Sequence, residues 1–95
     1  MKIEYDPAKS AKNAKERGLP FELTAEVDWS AAYTIEDRRQ DYGETRYLAF
    51  APLNGRLHVV CYCNRGEARR IISFRRARKK EEQAYEKANA ARAAP

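Results

Sequence analysis

Apolar and polar positions alternate over Lys2-Ile3-Glu4-Tyr5, and a period of two marks a short strand. Asp6-Pro7 follows: an aspartate that caps orphan amides, then a proline suited to a first turn, opens a helix over 7–17. Ala8, Ala11 and Ala14 form a thin apolar stripe along it, and Gly18 supplies the stop. Pro20 opens a second short helix in "LPFELTAEVDW", with Phe21, Ala25 and Trp29 turned inward. The period then returns to two. "AAYTIED" reads as a strand with Tyr33 and Ile35 on one face, and the polar "RRQDYGE", with Gly43, reads as a loop. "TRYLAFAPL" is a strand that Pro52 ends, Asn54-Gly55 is a strong hairpin turn, and "RLHVVCYCN" is the partner strand. "RGEA" turns the chain again into a last strand, "RRIISFR". From about Arg76 the pattern is helical, with Ala77, Ala84, Tyr85, Ala88 and Ala91 on one weak apolar face, and the tail from about residue 89 reads as frayed.

The order β-α-α-β-β-β-β-α predicts one α+β domain over 1–95, an antiparallel sheet of four or five strands packed against N-terminal helices and a C-terminal helix. Such a sheet needs only one covered face, and the other can meet a ligand. Alternation assigns the faces. Ile72 and Phe74 take the core side of the last strand, which puts Arg75 on the open side with Ile71 and Ser73. On the strand before it, Val59, Cys61 and Cys63 read as core. His58, Val60 and Tyr62 share the other face, where His58 and Tyr62 meet Arg75. Parity does not settle which side Arg46 takes.

Composition narrows the class. The 95 residues are 43% hydrophobic and 11% aromatic, which suits one folded domain with a modest core. No apolar run approaches the roughly 20 residues of a membrane span, and "MKIEYDP" lacks the apolar stretch of a secretory signal. A cytoplasmic protein is expected. Cys61 and Cys63 stand at i, i+2 on one strand face, about 7 Å apart, at or past the reach of a disulfide. They read as two buried thiols. Zinc needs four ligands, and the single histidine, His58, faces the other way, so no metal and no cofactor are expected.

Charge changes the picture more. Of a net +5, the segment Arg65–Lys80 carries eight basic residues against Glu67 alone, a net of +7, so the rest of the chain is at −2. Basic character confined to one segment points to an anionic partner, nucleic acid or an acidic protein. Lys79, Lys80, Glu82 and Lys87 also fit a solvated helix face.

Three motifs in order now carry a resemblance. "YDPAKSAKNAKERGLPF" is similar to an opening W-D-P-x-K-x-x-x-N-x-x-K-H-G-hydrophobic-x-F, "DRRQDYGETRYLAF" to D-x-R-x-x-x-G-E-x-R-hydrophobic, and "RIISFRRA" to R-I-I-S-x-R-x-A. Between them they span residues 5–77, and together they resemble the BrnT family of toxins. The resemblance implies a RelE-like fold and a ribonuclease toxin of a type II toxin–antitoxin pair. It implies an RNA substrate and a cognate ribbon-helix-helix antitoxin, with operator DNA reached only through that antitoxin. Two positions depart from the pattern: Tyr5 replaces Trp, and Glu16-Arg17 replaces Lys-His. Arg17 can hold a phosphate but is a poor general acid at neutral pH.

Metal-independent RNA cleavage uses the RNA's 2′-hydroxyl as nucleophile. It needs a base, cations around the phosphorane and an acid for the leaving oxygen. Arginine suits the cation task because its planar fork matches phosphate oxygens. Arg75, Arg76 and Arg46 are therefore the candidate phosphate stabilisers, with Glu44 or His58 as base or acid. Tyr62, Arg70, Arg17 and Lys79 are the candidate RNA contacts. Glu44 and Arg46 can instead pair with each other and pin the loop. The alternative function is a catalytically inactive homologue that binds nucleic acid or antitoxin. A purely structural partner of an acidic protein is a third reading.

Overall fold

The computed structural model describes residues 1–93. The chain forms β1 (Lys2–Tyr5), α1 (Pro7–Arg17), two 3₁₀ turns (Phe21–Glu26 and Trp29–Ala31), β2 (Tyr33–Asp37), β3 (Arg46–Leu53), β4 (Arg56–Arg65), β5 (Ala68–Arg76) and α2 (Lys79–Ala93). The strands make one five-stranded sheet in the order β1-β5-β4-β3-β2. β2 through β5 are an antiparallel meander, as the pattern predicted. The fifth strand differs: β1 runs parallel to β5, Lys2 opposite Ala68 and Tyr5 opposite Ile71, so the sheet is mixed. The crossover from one edge of the sheet to the other contains α1 and both 3₁₀ turns, long enough to join strands that are not a hairpin.

Local chemistry explains the ends. The Asp6 carboxylate accepts from the Ala8 amide at 2.9 Å, Pro7 opens α1, and Gly18, at φ 70°, closes it by donating to the Ala14 carbonyl at 2.9 Å. Asn54 and Gly55 both have positive φ, 51° and 78°, as the tight β3–β4 hairpin requires.

One face of the sheet carries the core. Ala49, Ala51 and Leu53 of β3, Val60 and Tyr62 of β4, and Ile71 and Phe74 of β5 pack there with Leu19, Phe21 and Val27 from the crossover. Phe74 is completely buried; burying such a ring stabilises the fold by roughly 1.5–3 kcal/mol.

Ile71 and Phe74 share this face, which strict alternation forbids. Cys61 pairs with Ser73 and Tyr62 with Ile71, so Ile72 has no opposite number and forms a β-bulge. This corrects the predicted core pair Ile72–Phe74. The β4 assignment is also reversed. His58, Val60 and Tyr62 lie on the covered face, whereas Val59, Cys61 and Cys63 lie on the opposite face with Arg75, which pairs with Val59. The cysteines are nonetheless buried and free, and burial pushes the Cys61 thiol up.

Both short helical readings near the N-terminus change as well. In α1, Ala8 and Ala11 are exposed, and the inward face is polar: Ser10 is buried, and its Oγ accepts from the Phe21 amide at 2.8 Å. In the crossover Ala25 is exposed, and Thr24 is completely buried, donating to the Phe21 carbonyl at 2.7 Å. α2 begins at Lys79, because β5 continues to Arg76. Of the tail read as frayed from about residue 89, residues 89–93 are helical, and 94–95 lie outside the described residues.

Candidate functional site

The C-terminal end of β5, the start of β4 and the end of α1 meet at one end of the sheet. Arg17, Leu19, Arg75, Arg76 and Arg78 line a cleft there of about 500 Å³. A second cleft of about 290 Å³ shares Leu19 and Arg76 with it and adds Arg56 and His58. Arg56 follows the Asn54-Gly55 turn, His58 stands opposite Arg76 in the sheet, and the Ala77 amide extends the pairing by donating to the Leu57 carbonyl at 3.0 Å. Hairpin geometry thus places Arg56, His58 and Arg76 together, and the Gly18 stop brings Arg17 to them.

The electrostatics are one-sided. Among the described residues, Arg17, Arg56, Arg76 and Arg78 have no carboxylate within 4.0 Å. Arg75 differs. Its Nη1 and Nη2 donate to Oε1 and Oε2 of Glu81, each at 2.8 Å, and Glu81 also accepts from the Arg78 amide at 2.7 Å. The Arg75 hydrogen bonds, helped by the Arg78 amide, hold the Glu81 carboxyl down at about 2, while Glu81 pushes Arg75 up.

His58 is only 4% exposed, with its ring centroid 5.5 Å from that of Phe74. Its Nδ1 lies 2.9 Å from the Arg56 carbonyl oxygen, which can only accept. Nδ1 therefore carries a proton, and in the neutral ring Nε2 is the acceptor, the form a base needs.

The predicted site residues split into separate groups. Arg17, Arg75 and Arg76 line the larger cleft, and His58 lines the smaller one beside it, on the sheet face opposite Arg75, so His58 and Arg75 do not meet as predicted. Glu44 and Arg46 do not join them. Arg46 precedes by five residues Ala51, the partner of His58, which is roughly 17 Å along the strand. There Arg46 donates to Glu44 at 3.2 Å and stacks 4.1 Å over the Tyr42 ring, while Arg65 reaches Glu44 at 3.7 Å. The Arg46 bond, with help from Cys63, holds the Glu44 carboxyl below its ordinary value.

Tyr62 is 5% exposed, edge-on to Trp29 at 5.6 Å and stacked with Tyr47 at 5.5 Å. No face of that ring is open to a base. Arg70 pairs with Glu4 of β1 at 3.6 Å, and Lys79 stands exposed at the start of α2.

Sequence reasoning missed Arg56, Arg78, Glu81 and Asn13 at the cleft, and Asp37 with Arg39 at the other end. Arg78 stood in plain sight within the basic segment. Asp37 is buried; the Arg39 guanidinium donates to it twice, at 2.8 and 2.7 Å, the Arg39 amide once, at 3.2 Å, and the Tyr42 hydroxyl once, at 3.0 Å. The Arg39 guanidinium holds that carboxyl well below the usual carboxylate range. The Asp-x-Arg of the quoted motif was the signal for this pair.

A family model described as the ribonuclease toxin, BrnT, of type II toxin-antitoxin systems matches residues 5–81. No curated protein matches the chain. The match covers α1, β2 through β5 and the arginines of the cleft, and it begins at Tyr5, the last residue of β1.

Proposed function

Because this chain belongs to the BrnT family of ribonuclease toxins of type II toxin–antitoxin systems, we propose that it cleaves RNA at the arginine cleft. The 2′-oxygen of the RNA attacks the adjacent phosphorus, the bond to the 5′-oxygen breaks, and a 2′,3′-cyclic phosphate and a 5′-hydroxyl result. The nucleophile belongs to the substrate and arginine supplies the positive charge, so the step calls for no metal. Arg76, Arg17 and Arg78 hold the phosphate and stabilise the charge that grows on it. His58 Nε2 takes the 2′-hydroxyl proton, and the leaving 5′-oxygen takes a proton from solvent water. A cognate ribbon-helix-helix antitoxin neutralises the protein in the cytoplasm by covering this basic surface, and the operator DNA is bound by the antitoxin alone.

The observation that carries this reading is the gathering, in two adjoining clefts, of four arginines with no carboxylate within 4.0 Å among the described residues, next to the one histidine. Induced expression in a bacterial host, with mapping of RNA ends, tests it. Growth arrest with new 5′-hydroxyl ends, abolished by Arg76→Ala and relieved by the antitoxin gene, is expected. Soluble, folded protein that produces neither arrest nor new ends overturns it.

The second reading, a binding module without catalysis, is favoured by the burial of His58 and by Glu16-Arg17 standing where the family motif has Lys-His. It keeps salt-dependent RNA binding and yields no cleavage products.

A further inference from the structure

The cleft has two walls of like charge. One is the end of α1 with the Gly18 turn, carrying Arg17 and Leu19; the other is the end of β5, carrying Arg75 and Arg76. Glu81 offsets the charge of Arg75, but Arg17 and Arg76 still repel across the cleft, and the repulsion grows where water is partly excluded. Among the described residues, no backbone hydrogen bond joins residues 17–19 to residues 74–76, and no ion pair joins the walls either. Leu19 and Phe74 both belong to the core, but apolar contact is not directional and does not orient the backbone of either wall.

One polar group bridges the gap. Asn13, half-buried on α1, donates from Nδ2 to the Leu19 carbonyl at 2.6 Å and to the Phe74 carbonyl at 2.9 Å. Both amide hydrogens are used, one on each wall. A flipped amide would set its oxygen against two carbonyls, so the orientation is determined by the partners. Leu19 follows Arg17 by two residues, and Phe74 immediately precedes Arg75.

We infer that Asn13 is a positioning residue for the arginine cleft, its carboxamide setting the separation at which Arg17 faces Arg75 and Arg76. Asn13 touches no substrate. It acts through the two carbonyls, and its effect is on how many phosphates the arginines engage at once. The inference rests on the cleft being the RNA site.

The test is binding of a 2′-O-methyl oligoribonucleotide, which cannot be cleaved, across a series of salt concentrations. For a single strand, log K falls with log salt by about 0.7 for each phosphate engaged. Asn13→Ser keeps one donor and so serves one wall. It is expected to retain the folded circular-dichroism signal yet give a slope shallower by about 0.7–1.4, one or two phosphates lost. Arg17→Ala weakens binding about fivefold in the wild-type background and less than twofold on top of Asn13→Ser, because a misplaced arginine has little left to lose. Asn13→Gln keeps both donors on a longer arm and spares the fold. Its slope is also expected to fall, with the melting temperature unchanged. A wild-type slope in Asn13→Ser or in Asn13→Gln, or full additivity with Arg17→Ala, overturns the inference while the RNA site stands. Salt-independent or absent binding by the wild-type protein overturns the RNA site itself, and this inference with it.

Discussion

Arg75 and Glu81 meet fork to fork, two parallel N–H···O bonds of 2.8 Å joining the last strand to the first turn of the helix that follows. A carboxylate held this way occupies the seat a phosphate would take on the same guanidinium. The cleft's free charge therefore resides on Arg17, Arg56, Arg76 and Arg78, and Arg75 contributes only as far as Glu81 yields.

Glu81→Gln removes the counter-charge and leaves the arginine in place. RNA binding is expected to tighten several-fold at low salt, with a salt slope steeper by about 0.7, one more phosphate engaged. Fluorescence anisotropy with an uncleavable oligonucleotide checks this; unchanged affinity and slope would mean that Arg75 takes no part in binding.

The same pair sets a pH dependence. Glu81 is held near 2 in the folded chain, below its ordinary 4.5. A depressed carboxyl stabilises the fold fully above about 4.5, and that contribution is lost as pH falls from 4.5 towards 2. With allowance for partial exposure, it amounts to on the order of 1–2 kcal/mol. Asp37, held down by Arg39, acts in the same direction. Urea melts at pH 7 and pH 3 should show the wild-type protein losing more stability than Glu81→Gln over that interval.

Arg76→Ala separates function from folding. The side chain is exposed and, among the described residues, has no carboxylate within 4.0 Å, so stability should change by no more than about 0.5 kcal/mol. Single-turnover RNA cleavage should fall about 10²-fold, the usual cost of removing one transition-state charge contact. Equal rates in mutant and wild type would remove Arg76 from the site.

His58→Gln keeps a polar side chain and removes the base. Single-turnover cleavage should drop by about 10²-fold or more. An unchanged rate would place the base elsewhere.

Tyr62 is expected to be a core residue. Tyr62→Phe should leave RNA binding within twofold, and Tyr62→Ala should cost about 3–5 kcal/mol by the cavity it leaves among Trp29, Tyr47 and Ile71. Thermal melts and the same anisotropy assay distinguish the two effects.

Much of the fold could be read from the residues: the helix opening at Asp6-Pro7, its Gly18 stop, the Asn54-Gly55 hairpin and the four-strand meander all have local causes. The faces could not. One unpaired residue, Ile72, reverses parity on β5, and a bulge leaves no mark in the alternation of "RIISF" that a strict period of two can distinguish. The open-face reading of His58 and Tyr62 fails for a different reason. β4 is buried on both faces, from His58 through Cys63, and a continuous run of buried residues does not say which side is the core. The polar inner face of α1 escaped because Ser10 and Asn13 act through hydrogen bonds to distant backbone, which no periodicity of hydrophobicity records. The arginine cluster was legible as charge, but its partition was not. Arg46 and Arg75 look alike in sequence, and the pairing with Glu44 or Glu81 depends on where the chain returns.

β1 is made well before the strand that seats it. Among the described residues its neighbour in the sheet is β5, and Lys2 has no partner until Ala68 exists. A chain still emerging from the ribosome without β5 lacks the strand that carries Arg75 and Arg76, the docking edge for its own N-terminus and the Phe74 carbonyl that Asn13 grips. Pairings this distant in sequence carry a high loop-closure cost and form slowly. The arginine cleft therefore waits on the synthesis of β5, and so would any activity seated in it.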